Sequence, residues 1–331
     1  MIVPVFIYWC FTRQTPGALN GWAIPMATDT AFAIGVLAIL ASRVSISVGV
    51  FLTALAIFDD IGAIVIVAFF YGGDLNLSML LCAALVVVIM YAFNIVGLRQ
   101  SWFFGISAIL LWLCVHESGL HATLAGLLAA LTIPAKTRIS QTGLVTTMRS
   151  LLLSFEQRIK LDGKILESHE QHVLTEDMKL SVRAASTPLQ RWEESLINPI
   201  AIVVLPLFVL FNAGVSFSGE ALELAFDSSV TWGIFAGLVI GKPLGIVLFC
   251  AIGMWSRIGV LPAHISKSEV VAVGFLAGIG FTMSTFITSL SFEYYPEHIE
   301  PAKLGVLLAS FTAAMIALGF LSLTSRNPNV N

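Results

Sequence analysis

The sequence predicts an all-α polytopic membrane protein, and three observations carry that prediction. Of 331 residues 57% are hydrophobic and only 11% charged, with a mean hydropathy of +0.92, whereas soluble domains carry roughly 25% charged residues. The apolar residues fall into segments long enough to cross about 30 Å of hydrocarbon. The Lys and Arg residues are distributed unevenly between the connections, as the positive-inside rule requires.

In chain order, full-length apolar segments lie at 22–41, 46–71, 77–98, 101–116, 119–134, 196–215, 229–256, 268–291 and 302–324. Residues 1–11, MIVPVFIYWCF, supply only about 16 Å of helix and lack the basic region of a signal peptide, so they read as the second half of a span. His116-Glu117-Ser118-Gly119 predicts a tight turn between two short helices, with one long tilted helix over 101–134 as the alternative. If the segments alternate, fourteen basic residues fall on one side and two, Arg13 and Lys303, on the other, leaving Lys242 inside a span. That asymmetry places the long connection and the C-terminus in the cytoplasm. The chain divides accordingly into a membrane part at 1–134, a charged cytoplasmic insert at 135–195, a second membrane part at 196–324 and a tail at 325–331. The insert mixes charges in runs such as EQRIKLDGKILESHEQ and RWEE, and reads as short amphipathic helices at the membrane surface or as a solvated linker.

The net charge of −3 says little, because charge on a membrane protein matters by loop and not in sum; no nucleic-acid partner is suggested, and membrane lipid is the expected surroundings. Cys10, Cys82, Cys114 and Cys250 stand singly in apolar runs with no CxxC or Cys/His cluster, so neither a disulfide framework nor a zinc site is legible. No cofactor is expected. His116, His169, His172 and His264 carry no assigned role.

Three aspartates break the apolar pattern: Asp29 in the first full span, and the adjacent pair Asp59 and Asp60 in the second. A carboxylate at the centre of a spanning helix costs on the order of 3 kcal/mol and usually faces a wet cavity that carries ions or protons. Neighbours on one helix diverge by about 100°, so one aspartate can turn to a cation on another helix while its partner faces the cavity. Two close carboxylates in a low-dielectric site titrate as a unit. Proton and sodium then compete for the same oxygens, and a hard cation also suits the Thr28 hydroxyl and unwound carbonyls. Lys242 needs a carboxylate or the negative ends of half-helices to keep its charge. Ile24-Pro25-Met26-Ala27-Thr28-Asp29 and Gly278-Ile279-Gly280-Phe281-Thr282 interrupt helical regularity at membrane depth. Broken spans in corresponding halves mark a secondary transporter built of inverted repeats.

GWAIPMATDTAF, FLTALAIFDDIGAI, SGLHATLAG, PLFVLFNAGVS, GKPLGI and GIGFTMSTFI closely resemble, in order, the signature stretches of NhaA-type bacterial Na+/H+ antiporters. The resemblance implies NhaA-like inverted repeats, at 1–71 and 229–324, whose interrupted helices 22–41 and 268–291 cross at mid-membrane. It implies exchange of Na+ or Li+ for H+ across the inner membrane, in the service of pH and sodium homeostasis. By resemblance Asp60 is the main ion ligand, Asp59 shares the site or pairs with Lys242, and Asp29 and Lys242 compensate charge at the crossing. His121 and Glu194 match positions tied to pH response. Members of the family begin with two further helices, an external β-hairpin and a complete third helix. By resemblance the hairpin is the usual dimer contact of full-length members, so a chain that lacks these parts is expected to be monomeric, less stable and weakly active or inactive. A sodium-coupled symporter of an organic anion on the same fold is the alternative. An intramembrane aspartyl protease is excluded by adjacent FDD and the lack of GxGD, and a haem protein by the lack of paired histidines on one span. The chain is not expected to be an enzyme.

Overall fold

The computed structural model describes the chain except residues 41–43, 73–74, 99, 138–139, 157–168, 213, 215–218, 263–264 and 325–331; for 141, 169–171, 220–221 and 324 it gives the backbone alone. Arg43, Arg99, Arg326, His264, the middle of the insert and the C-terminal tail therefore lie outside the described residues. Everything described is helix, turn or extended connection. Two compact units are present, one formed by 1–73 with 205–331 and the other by 74–204.

The first unit opens with α1 (Ile2–Thr12), a 3-10 helix (Ala18–Met26), α2 (Thr30–Ile39) and α3 (Ile46–Phe70). The 3-10 helix and α2 form one span bent by 45°. An interrupted α-helix is the sequence expectation here, and the first half is instead wound as 3-10 for nine residues, long for that form. Its carbonyls are claimed from outside: the Tyr8 hydroxyl donates to Ala18 O and the Tyr71 hydroxyl to Asn20 O, each at 2.6 Å, and the Ser284 hydroxyl to Ile24 O at 2.9 Å. Pro25 has no N–H to give to an i−4 carbonyl, which removes another α-helical bond.

The second unit contains α4 (Leu77–Val96), α5 (Ser101–Glu117) and α6 (Thr123–Thr132), then α7 (Gln141–Glu156), α8 (His169–Ala185) and α9 (Pro188–Pro199). Asn76 caps α4 through its side chain and Gly97 ends it in the left-handed conformation (φ 83°). A turn through Gly119 (φ 83°) separates α5 from α6, so the two-helix reading of 101–134 is realised, with α6 only ten residues long. The Asn94 amide donates to Thr132 O at 2.8 Å and ties α4 to α6. Met90, Phe104, Leu111, Val115 and Ala125 form the core of this unit. Thr187 and Gln190 make a reciprocal cap with Pro188 at the first helical position, a strong start signal. The span read as 196–215 thus runs over Pro188–Asn212.

The first unit resumes with α10 (Leu205–Asn212), α11 (Gly219–Asp227), α12 (Ser229–Ala236), α13 (Lys242–Trp255), α14 (Lys267–Ala277), α15 (Phe281–Ser291) and α16 (Ile299–Thr324). A π-turn over Gly237–Gly241 joins α12 to α13, directly ahead of Lys242-Pro243. Pro243 cannot donate and its ring crowds the preceding turn, so the ladder widens and Lys242 N–H reaches back five residues to Gly237 O. Gly237, Gly241 and Gly245 bring this span against α1: a Cβ on Gly241 would lie 2.7 Å from Pro4 Cα. α14 and α15 are the second broken span, bent by 44°. Ser266 and Glu269 form a capping box at the start of α14.

Two apolar clusters build this unit. One gathers Tyr8, Ile24, Ile234, Leu238, Phe292 and Val306; the other gathers Leu37, Leu52, Val273, Leu276, Ala317 and Leu321. Large apolar side chains also cover the outside, with Phe58 76% and Phe69 77% exposed, while Thr28, Asp29, Lys242 and Ser284 are buried. Polar inside and apolar outside is what a hydrocarbon solvent selects, since backbone and side-chain polar groups must be satisfied within the protein. This is a multi-pass membrane protein.

Candidate ion-binding site

The two broken spans meet where each leaves helical geometry. Ala27 (φ −75°, ψ 145°) and Asp29 (φ −88°, ψ 93°) are extended, so side chains alternate across this stretch with period two. Thr28 and Thr30 therefore serve one side and Asp29 the other. Asp29 N–H donates to Ile279 O at 2.6 Å, a direct backbone bond between the two breaks. The Asp29 carboxylate accepts from Phe32 N–H at 3.1 Å through Oδ1, and through Oδ2 from Thr282 N–H at 2.8 Å and the Thr282 hydroxyl at 2.6 Å. One buried anion thus caps the N-terminal ends of both α2 and α15, where orphan N–H groups and helix dipoles favour negative charge. Gly280 N–H donates to the Ser310 hydroxyl of α16 at 3.3 Å.

Thr28 lies at the opposite ends. Its Oγ1 is 2.9 Å from Ala277 O, the last carbonyl of α14, and 2.9 Å from Asp59 Oδ2. Its single proton serves one of these acceptors at a time. Lys242 Nζ, on a residue only 2% exposed, donates to Thr28 Oγ1 at 2.8 Å and to Asp59 Oδ2 at 2.5 Å. The ion pair is thus sealed from bulk solvent on the lysine side, with the Asp59 side chain 14% exposed. Asp60, one residue on, points elsewhere: Oδ2 accepts from the Thr30 hydroxyl at 3.0 Å, and Oδ1 is buried with no partner. A chargeable oxygen left open beside a second carboxylate and two hydroxyls has the donor set of a hard monovalent cation site and also of a proton site.

Of the residues singled out from sequence, the structure gathers Thr28, Asp29, Asp59, Asp60 and Lys242 into this one constellation. His121 and Glu194 belong to the other unit. His121 precedes α6, its Nδ1 3.0 Å from the Thr123 hydroxyl and 3.5 Å from Thr123 N–H. Glu194 is exposed on α9. Among the described residues no group of three or more His, Cys, Asp and Glu side chains forms a resident metal centre.

Sequence reasoning missed Thr30, the Thr282 bonds to Asp29, and Ser310. Thr30 had a signal: it follows Thr28 by two across the break in the first span, where extended backbone puts the two hydroxyls on one side. Ser310 gives no such signal, because nothing local distinguishes it from other small residues in a packed span.

Two broken helices crossing in the bilayer, with an aspartate pair and a lysine balanced at the crossing, define a secondary transporter of small ions. The chain belongs to the Na+/H+ antiporter 1 family, whose model matches residues 1–321. It is 44% identical over 317 residues to Na+/H+ antiporter NhaA 1 of Pseudoalteromonas atlantica, covering 96% of this chain and 67% of that one. It is 40% identical over 321 residues to Na+/H+ antiporter NhaA of Dichelobacter nodosus, covering 97% and 69%. A third relative, Na+/H+ antiporter NhaA of Escherichia coli O1:K1 / APEC, is 39% identical over 327 residues, covering 98% and 72%. These relatives give organic-anion symport no support.

Proposed function

We propose that this chain exchanges Na+, or Li+, for H+ across a bacterial inner membrane by alternating access, with ion and proton competing for Asp59 and Asp60. The observation that carries the reading is the open, buried Oδ1 of Asp60 beside an Asp59 already held by Lys242. Asp60 is the main ligand, and Thr28 and Asp59 supply further oxygens. The ammonium of Lys242 balances the pair when no cation is present; a cation at the pair takes over that charge, so the two occupancies exclude one another. Asp29 fixes the crossing by holding both positive helix ends. His121 and Glu194 act in pH response from the other unit. The insert and C-terminus face the cytoplasm.

Asp60→Asn tests the reading. An amide neither carries the proton nor balances the ion, so the variant is expected to insert normally yet lose Na+-dependent dissipation of ΔpH in everted vesicles from antiporter-deficient cells. Exchange retained at the parent's apparent Na+ affinity would sink the site assignment.

A further inference from the structure

Threonines inside helices usually turn their hydroxyl back to the carbonyl four residues earlier, as Thr53 does to Gly49 O, Thr285 to Phe281 O and Thr312 to Leu308 O. Thr30 is different. It is the first residue of α2, directly after extended backbone, and the cap position at Asp29 is already filled by the Asp29 carboxylate. Its hydroxyl is instead spent on Asp60 Oδ2 at 3.0 Å. Thr28, two residues earlier and on the same side, reaches Asp59 Oδ2. Two hydroxyls at one extended step thus meet two successive aspartates of α3, one each.

We propose that Thr30 is a positioning residue of the ion site: by donating to Oδ2 it fixes the Asp60 carboxylate so that Oδ1, buried and unpartnered, is the oxygen presented to the incoming cation. This rests on the reading of Asp60 as the main ligand. An unheld carboxylate in a helix that also carries Asp59 can rotate about its terminal torsion, which is broad and roughly two-fold. Each turn offers the other oxygen and surrenders the aligned geometry. The charged groups facing Asp60 are Asp59 on its own helix, Asp29 from the first break and Lys242 from α13. None of them is altered by a change at Thr30.

The test compares Thr30→Val, which keeps the shape and removes the hydroxyl, with Thr30→Ser, which keeps the hydroxyl, both in the full chain. In everted vesicles Thr30→Val is expected to raise the apparent Na+ KM roughly tenfold, the scale of one hydrogen bond to a charged group. Its maximal rate is expected to stay within about twofold of the parent, so that KM moves and the rate does not; Thr30→Ser is expected to restore the parent's KM. The purified protein in detergent supplies an independent readout, since ligand binding to the folded state raises the melting midpoint: the NaCl concentration giving half the maximal shift should rise similarly in Thr30→Val. If valine prevents folding, Thr30→Ala is read against Thr30→Ser in the same way. A hydroxyl-free variant with the parent's KM overturns the inference, as does a Thr30→Ser variant as impaired as Thr30→Val. These outcomes are distinct from failure of the site reading, which Asp60→Asn reports on its own by retaining exchange.

Discussion

Lys242 shows how much one residue can hold. Its ammonium is buried and bonds two groups, Asp59 and Thr28, that sit on different spans. Removing one partner of a buried pair leaves the other charge uncompensated and typically costs about 3–5 kcal/mol. Lys242→Ala is therefore expected to lower the melting midpoint in detergent along with transport; an unchanged midpoint would show that Asp59 finds another counter-charge.

At the scale of elements, the breaks depend on residues too small to obstruct them. A Cβ on Gly278 would stand 2.6 Å from Leu238 O and 3.1 Å from Phe275 O, so Gly278→Ala must displace backbone. A loss of about 1–3 kcal/mol is expected from such overpacking, measured as a drop in melting midpoint. Gly319→Ala on α16 is the control, because nothing lies within 4 Å of that position and alanine favours helix by about 1 kcal/mol. The breaks themselves were legible in the sequence, because Pro25 and Gly278-Ile279-Gly280 are the residue types that interrupt helices. The charged residues of the crossing were legible for a different reason: Asp29, Asp59, Asp60 and Lys242 stand out against apolar runs. The 3-10 winding of Ala18–Met26 was not. It depends on hydroxyls of Tyr8, Tyr71 and Ser284 delivered from three other helices, and long-range partners leave no local periodicity to read. The start of α9 inside the stretch read as insert was not legible for a simpler reason. RWEE is polar, yet a capping box at Thr187 starts the helix before the apolar run begins.

For the molecule as a whole, the uneven basic residues predict which face of the membrane each connection meets. In a background with Cys10, Cys82, Cys114 and Cys250 replaced, a Thr146→Cys label on exposed α7 is expected to react with a membrane-impermeant maleimide in everted vesicles and not in intact spheroplasts. Labelling from the outside would invert the topology. The crossing sets a mechanical condition on any change of access. Asp29 is joined to the second broken span by its own N–H to Ile279 O and by its carboxylate to Thr282, while Thr28 adds a bond to Ala277 O. Riveted at these points, the two broken spans share one frame, and neither can tilt without dragging the other. Among the described residues the Asp59 and Asp60 side chains, which ride on α3, are hydrogen-bonded to that frame through the hydroxyls of Thr28 and Thr30, and Asp59 is held from α13 by the ammonium of Lys242. On the proposed exchange these polar bonds are the ones an ion at Asp59 and Asp60 replaces, while the apolar packing of Leu52 against Leu37, Val273 and Leu276 stays in place, so the seam that loosens is the polar half of the contact between the rivet and α3.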